Sequence, residues 1–322
     1  QLGQNIIGEQ SGDNSGHSVS LSSDGNTVAI GAINNDGGGT ASGHVRVFRY
    51  SSGSWTQLGG DIDGEAIEDR SGNAVSLSND GNIVAIGAWT NDGDEGDRNG
   101  HVRVYQYSEN SWIQMGSDID GKNNVDHFGY SVSLSGDGSI FAAGAYGGDV
   151  EGVSNDVGYV QIYKYNNNLW TKIGDDINGE GTYENNDQSG YSVSLSDDGK
   201  KVAIGAIRAY HESEIEETGH VRIFEYNDPN VTLSSPPYLP ETAGSTASVT
   251  ATLEFASSSE VKVILKSSGT ASGDSVDYSL SSDTIKIPAG QTTGTITVNV
   301  IADQISDEGE TIILDIDSVV NA

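Results

Sequence analysis

Three recurring kinds of side chain could do chemistry in this sequence: His-x-Arg pairs, paired carboxylates and evenly spaced tryptophans. His44/Arg46, His101/Arg103 and His220/Arg222 each put two polar groups on one face of a strand, because side chains two residues apart share a face. Such a row could form a binding rim. It could equally sit as polar positions between packed sheets, which is the expectation, with Tyr159/Gln161 replacing the pair in the third copy. Asp61/Asp63 and Asp118/Asp120 have the residue types for glycoside hydrolysis, yet they become Asp176/Asn178 and Asn5/Ile7, as recurrent turn residues would. Trp55, Trp112 and Trp170 keep a fixed place in a repeat, so they are expected to pack sheets rather than stack on sugars. His17, His127 and His211 lack metal-ligand spacing. With no cysteine, disulfides, thiol catalysis and Cys-based zinc sites are excluded. No Gly-x-Ser-x-Gly elbow accompanies an α/β pattern, and symmetry-related groups seldom form the unlike constellation that catalysis needs. The expectation is a protein without enzymatic activity.

The 322 residues leave room for about two domains. Asp and Glu number 47 against 15 Lys and Arg, a formal charge of −32. That balance argues against nucleic acid and against anionic membrane surfaces, both of which attract basic proteins. No run approaches the ~18 apolar residues of a membrane span, so membrane insertion is not expected. No apolar core of a signal peptide is present either, and the chain is expected to begin after processing or to be cut from a longer one.

An internal repeat decides the architecture. Ser15-Gly16-His17-Ser18-Val19-Ser20-Leu21-Ser22 returns from Ser71, Phe128 and Ser189, and its Gly16, Gly72, Gly129 and Gly190 stand 56, 57 and 61 residues apart. Val28-Ala29-Ile30-Gly31-Ala32, Gly43-His44-Val45-Arg46-Val47 and Trp55-Thr56-Gln57-Leu58-Gly59 recur in register with it. Val19 and Leu21 alternate with Ser18, Ser20 and Ser22, the period of a strand. Asp24-Gly25, Asp80-Gly81, Asp137-Gly138 and Asp198-Gly199 are predicted two-residue hairpin turns with φ > 0 at both positions. Four-stranded units of this length predict a four-bladed β-propeller over residues 1–228. The fourth copy lacks its Trp strand, and Gln1–Glu9 match Gln57–Glu65. The N-terminal strand is therefore predicted to complete the last blade and close the ring, removing free edges.

The words Phe128-Gly129-Tyr130-Ser131-Val132, Val84-Ala85-Ile86-Gly87-Ala88 and Gly100-His101-Val102-Arg103-Val104-Tyr105 resemble the FG-GAP repeats of integrin-α-type propellers. In the wording of Asp-Ile-Asp-Gly-Glu and Gly-His-Val-Arg-Val they resemble repeats of large secreted proteins of marine Bacteroidota. That family binds calcium in an aspartate-rich loop between its first two strands. Here the loop shrinks to Ser23-Asp24-Gly25-Asn26, too few carboxylates for the 6–8 oxygens of calcium, and the role is not carried over.

From residue 229 to 322 the grammar changes. Strands are predicted at Val231–Ser235, Thr246–Glu254, Glu260–Ser268, Thr284–Pro288, Gly294–Ala302 and Thr311–Asp317, which suggests a β-sandwich. Pro240-Glu241-Thr242-Ala243-Gly244, Gly273-Asp274-Ser275-Val276-Asp277-Tyr278, Ile287-Pro288-Ala289-Gly290 and Ile301–Thr311 resemble the Calx-β family along the whole segment. The resemblance implies a Ca2+ site at one end of the sandwich, built from Glu241, Asp277, Asp303 and Asp307 or Glu308. Paired aspartates of the family are reduced here to Ala302-Asp303, so the expected site is weak or partly built. The family has seven strands and six are predicted, so the last is expected to be missing. Its absence would leave an edge beside Thr311–Asp317 for a further domain of the same chain or a neighbouring subunit.

The segments Asn34–Ser42, Thr90–Asn99, Gly147–Val157 and Arg208–Thr218 vary between copies and are expected to gather on one face, where a protein or glycan ligand would bind. Taken together, these features imply an extracellular adhesion or interaction module of a secreted or cell-surface protein. The rivals are a carbohydrate-binding accessory module of a polysaccharide-degrading enzyme and a subunit of an extracellular polymer.

Overall fold

The computed structural model describes residues 1–92, 97–149, 156–181, 186–209, 218–226, 231–236, 245–254, 256–257, 260–271, 277–301 and 311–320. Its regular elements are all strands, so the chain is all-β. It divides into two compact units, Gln1–Tyr226 and Asn227–Ala322.

Each repeat of the first unit becomes one antiparallel sheet. The first contains β1 (Ser18–Leu21), β2 (Thr27–Ala32), β3 (His44–Ser51) and β4 (Ser54–Gln57) in that order, with β5 (Ile62–Asp63) also on β3. The second repeats it with β6 (Ala74–Leu77), β7 (Ile83–Ala88), β8 (His101–Ser108), β9 (Ser111–Gln114) and β10 (Ile119–Asp120). The third does so with β11 (Phe128–Leu134), β12 (Ile140–Ala145), β13 (Tyr159–Asn166), β14 (Leu169–Lys172) and β15 (Ile177–Asn178). The fourth has three strands, β16 (Ser189–Leu195), β17 (Lys201–Ala206) and β18 (His220–Glu225).

The Asp-Gly turns differ from expectation. The hairpin closes from Ser22 N to Thr27 O at 2.9 Å, so four residues lie in the loop. Only Gly25 has positive φ, at 70°. Asp24 serves through its carboxylate instead, accepting from Ser22 Oγ at 2.7 Å and from Asn26 N and Nδ2 at 2.9 Å. Those donors hold its carboxyl down to about 2. Asp80, Asp137 and Asp198 accept from the same turn positions, so these carboxylates are engaged within their own turns.

Neighbouring sheets stack through alternating side chains. Ser20 Oγ accepts from Leu77 N, Ser76 Oγ from Leu134 N and Ser133 Oγ from Leu195 N, all at 2.9 Å. Apolar positions of β6, β11 and β16 point the opposite way, towards the preceding sheet. Val75 and Leu77 thereby enter one core with Ala29, Val45 and Val47 of the first sheet.

The predicted closure of a four-bladed ring is corrected by the two ends of this stack. Leu21 is 60% exposed where its counterpart Leu77 is 7%, and Ile223 is 72% exposed where Val47 is fully buried. The first and fourth sheets therefore do not cover each other. Residues 1–9 dock on the first sheet: Ile6 packs with Val28, Ile30, Phe48 and Trp55. Trp55 Nε1 donates to Leu2 O at 2.9 Å, and Arg46 Nη2 donates to Ile7 O at 2.7 Å. Removing 1–9 would uncover Val28, Ile30 and Phe48 rather than unpair Val221–Tyr226. The physical reason is the repeat's own rule: Trp112 Nε1 donates to Leu58 O and Trp170 Nε1 to Met115 O, so the carbonyl at this place accepts from the tryptophan of the sheet that follows it, as Leu2 O does from Trp55.

The second unit has two sheets. One orders β19 (Val231–Ser234), β20 (Thr246–Leu253), then β24 (Thr293–Val300) and β22 (Tyr278–Leu280); the other orders β23 (Thr284–Ile287), β21 (Val261–Gly269) and β25 (Ile312–Val320). Val249, Ala251, Ile296 and Val298 of the first share a core with Val261, Val263, Ile285 and Ile287 of the second. The six-strand count from sequence omitted β22, which pairs Tyr278–Leu280 with Val300–Val298. Only three residues long, it is too short to show alternation. Among the described residues β25 pairs on one side, with β21.

Candidate binding face

The loop ends of the repeats carry an aromatic row next to a cavity of about 430 Å³, within the size range of small-molecule and glycan sites. Trp89 follows the last residue of β7, Tyr146 the last of β12, and Tyr130 and Tyr191 lie within β11 and β16. Strand pairing therefore sets their spacing. Ring centroids of Tyr130 stand 5.7 Å from Trp89, 4.5 Å from Tyr146 and 5.0 Å from Tyr191. His127 fills the angle, 4.9 Å from Trp89 and 5.0 Å from Tyr146. The four rings are partly exposed. Burial and the facing hydroxyl of Tyr191 push the Tyr130 phenol up, so it stays protonated and can donate.

The cavity is lined by Ile67, Glu68, Arg70, Trp89, Asp92 and Arg98 among others. Arg70 lies 5.6 Å over the Trp89 ring, a cation–π geometry that keeps both planes presented. Asp92 Oδ1 accepts from Arg98 N at 2.8 Å, and Thr90 Oγ1 donates to Glu68 O at 2.6 Å. One apolar wall with convergent charged groups of both signs suits a ligand bearing hydroxyls on an apolar ring face. Parts of the variable segments outside the described residues include 93–96, 150–155 and 210–217.

Four buried aspartates hold this face in place, and the sequence analysis did not single them out. Asp69 Oδ2 accepts from Ala66 N at 2.8 Å and Glu65 N at 3.2 Å. Asp126 Oδ2 accepts from Asn123 N at 2.9 Å and Tyr159 OH at 2.7 Å, while Asp13 and Asp187 accept from Gln10 N and Glu180 N. The signal was available: in every copy an aspartate stands three residues before the repeat glycine. Burial raises the carboxyls of Asp69 and Asp126.

Arg103 and Arg222 reach the preceding sheet, through Asp63 O and Asn178 O, and the His44/Arg46 pair faces the N-terminal segment. His44, Arg46, His101 and Arg103 are buried, and Arg103 Nη2 donates to Asp63 O of the preceding repeat at 2.8 Å. Burial lowers His101 and His127 to about 4. In the unfolded chain the same side chains protonate near 6.5, so between these values the unfolded state binds more protons and stability rises with pH. This histidine contribution to the stability of the first unit is lost as pH falls from about 6.5 to 4, while the raised carboxyls of Asp69 and Asp126 act in the opposite sense. His101→Tyr, the residue present at position 159, should flatten that profile. An unchanged slope in circular dichroism melts across this window would contradict it.

Of the expected calcium ligands, Glu241, Asp303, Asp307 and Glu308 lie outside the described residues. Asp277 is described, and its main-chain carbonyl accepts from Ile301 N at 2.8 Å. Trp112 and Trp170 pack between sheets and Trp55 between the first sheet and residues 1–9, each donating to the carbonyl noted above.

No family model matches the chain, and no curated protein matches it. Solved structures do. Hydrazine synthase of Kuenenia stuttgartiensis is 14% identical over 78% of this chain and 59% of its own length, with a TM-score of 0.41. The periplasmic gluconolactonase PpgL of Pseudomonas aeruginosa is 16% identical over 79% of this chain and 68% of its own, at 0.36. The β-propeller domain of the Trilobed protease from Pyrococcus furiosus is 9% identical over 93% of this chain and 81% of its own, at 0.35. Similarity of this extent carries no activity over to the present chain.

Proposed function

We propose that this chain is a non-enzymatic adhesion module of a secreted or cell-surface protein, and that it binds glycan through the aromatic loop face of its repeat unit. The observation that carries the reading is the row Trp89, Tyr130, Tyr146 and Tyr191 beside the charged cavity. Partly exposed aromatic rings stack on the apolar faces of sugars, and Arg70, Asp92 and Arg98 can bond their hydroxyls. In this reading the four repeat sheets are blades of a propeller-type array, and the second unit is a β-sandwich of Calx-β type. Calcium at the loops of that sandwich stays part of the proposal on the strength of the sequence resemblance.

A glycan array with the full chain tests the reading. Binding is expected, and Trp89→Ala combined with Tyr146→Ala should weaken it at least tenfold, about 1.4 kcal/mol, without lowering the melting temperature of the second unit. No glycan bound, or binding indifferent to these substitutions, would move the ligand class from sugar to protein.

A further inference from the structure

Two junctions between repeats each bring one histidine and two carboxylates together: Glu9, His44 and Asp61 at the first, Glu65, His101 and Asp118 at the second. In each set the donor atoms lie within 4.8 Å of one another. His44 is 1% exposed, and its Nδ1 has no hydrogen-bond partner. That nitrogen faces Glu9 Oε2 at 3.9 Å, with a carboxylate oxygen of Asp61 in the same group; Asp63 Oδ1, at 4.0 Å, is a further carboxylate beside it. These separations are too long for hydrogen bonds, yet they suit groups on opposite sides of one small cation. Buried polar atoms normally find a partner, so an orphaned lone pair aimed between carboxylates calls for one. His101 is also buried to 1%, and there the unpartnered nitrogen is Nε2.

The third junction supplies an independent observation. There Lys122 replaces the glutamate, Tyr159 the histidine and Gln161 the arginine, while Asp176 keeps the aspartate. The Lys122 ammonium pairs with Asp176 and lies 4.1 Å over the Tyr159 ring. Where the histidine is lost, a built-in cation stands against the same carboxylate. At the first two junctions arginine compensates only one side: Arg46 Nη1 is 3.7 Å from Glu9 Oε1 and Arg103 Nη1 is 3.2 Å from Glu65 Oε1. The second carboxylate of each set meets a neutral donor instead: Asp61 Oδ1 accepts from Gln57 Nε2 at 2.7 Å and Asp118 Oδ1 from Gln114 Nε2 at 2.6 Å.

We infer that the first two junctions each bind one divalent first-row transition ion of the Zn2+ class, through Glu9, His44 and Asp61 and through Glu65, His101 and Asp118. One imidazole nitrogen with carboxylate oxygens selects such ions over Ca2+, which takes oxygen alone. Ligands on Zn2+ stand 2.0–2.2 Å from the metal, so the partly exposed glutamates and aspartates must close by roughly an ångström around the fixed histidine. Neutral histidine is the binding form, and burial keeps both rings neutral near pH 7. The ion would staple a segment of one repeat to the strand of the next.

The full chain, freed of metal by chelator, is titrated with Zn2+ by calorimetry, with Ca2+ as control. About two Zn2+ per chain are expected, with a rise in the melting temperature of the first unit that Ca2+ does not reproduce at equal concentration. The variant Glu9→Lys/His44→Tyr/Arg46→Gln installs the third junction's own residues, so it should fold, and its stoichiometry should drop to about one. Adding Glu65→Lys/His101→Tyr/Arg103→Gln should abolish the sites. Zn2+ uptake unaffected by these exchanges, as diffuse attraction to a strongly acidic chain would give, overturns the inference. So does the absence of uptake by the parent chain.

Discussion

Gly87→Ala should destabilise the first unit by about 3 kcal/mol or more, at or beyond the upper end of overpacking costs, and lower its melting temperature by roughly 6–12 °C. A Cβ at Gly87 would stand 1.9 Å from Gly129 O of the following sheet. Gly31 and Gly144 meet Gly72 O and Gly190 O in the same way, each at 2.0 Å. Main-chain carbonyls within a paired strand cannot step aside, so relief requires the two sheets to separate. Gly205 is the internal control. It occupies the same repeat position, yet an added Cβ crowds only the Ser192 hydroxyl, and that side chain can rotate. Gly205→Ala should cost well under half as much. Equal melting curves for the two variants would mean that sheet stacking does not set the glycine requirement.

The second large effect separates an open stack from a closed ring. Leu77→Ala removes a side chain buried between the first and second sheets and should cost about 2–5 kcal/mol. Leu21→Ala changes the same repeat position at the exposed face of the first sheet and should stay within about 0.5 kcal/mol. Denaturant melts of the two variants decide the matter. A loss at Leu21 as large as that at Leu77 would show that another sheet covers the first face in solution.

Much of the architecture was legible because its determinants are local. Val19-Ser20-Leu21 alternates with the period of a strand, and Gly16, Gly72, Gly129 and Gly190 mark the repeat without reference to any distant residue. The turn at Asp24-Gly25 was placed correctly but given the wrong chemistry. Sequence pairs of this type specify a turn, while its length depends on where Ser22 and Thr27 close the ladder. The match of Gln1–Glu9 to Gln57–Glu65 was also legible, and its meaning was not. Gln57–Glu65 pairs its main chain with β3 of its own repeat and also takes the Trp112 and Arg103 side chains of the next, so the N-terminal copy takes Trp55 and Arg46 and covers the first sheet.

What tertiary structure alone decided are the pairings across sheets. Trp89 occurs at a position held elsewhere by Ile33, Tyr146 and Ile207, so nothing periodic marked it; only stacking sets it against Tyr130 and Arg70. Glu65 and His101 are separated by 36 positions, and the Lys122–Asp176 exchange reads as compensation only once those positions are known to meet. Alternation tells which side chains share a face, and backbone hydrogen bonding builds that face from neighbours in the chain. Which face it then meets is settled by burial and charge between residues a whole repeat apart.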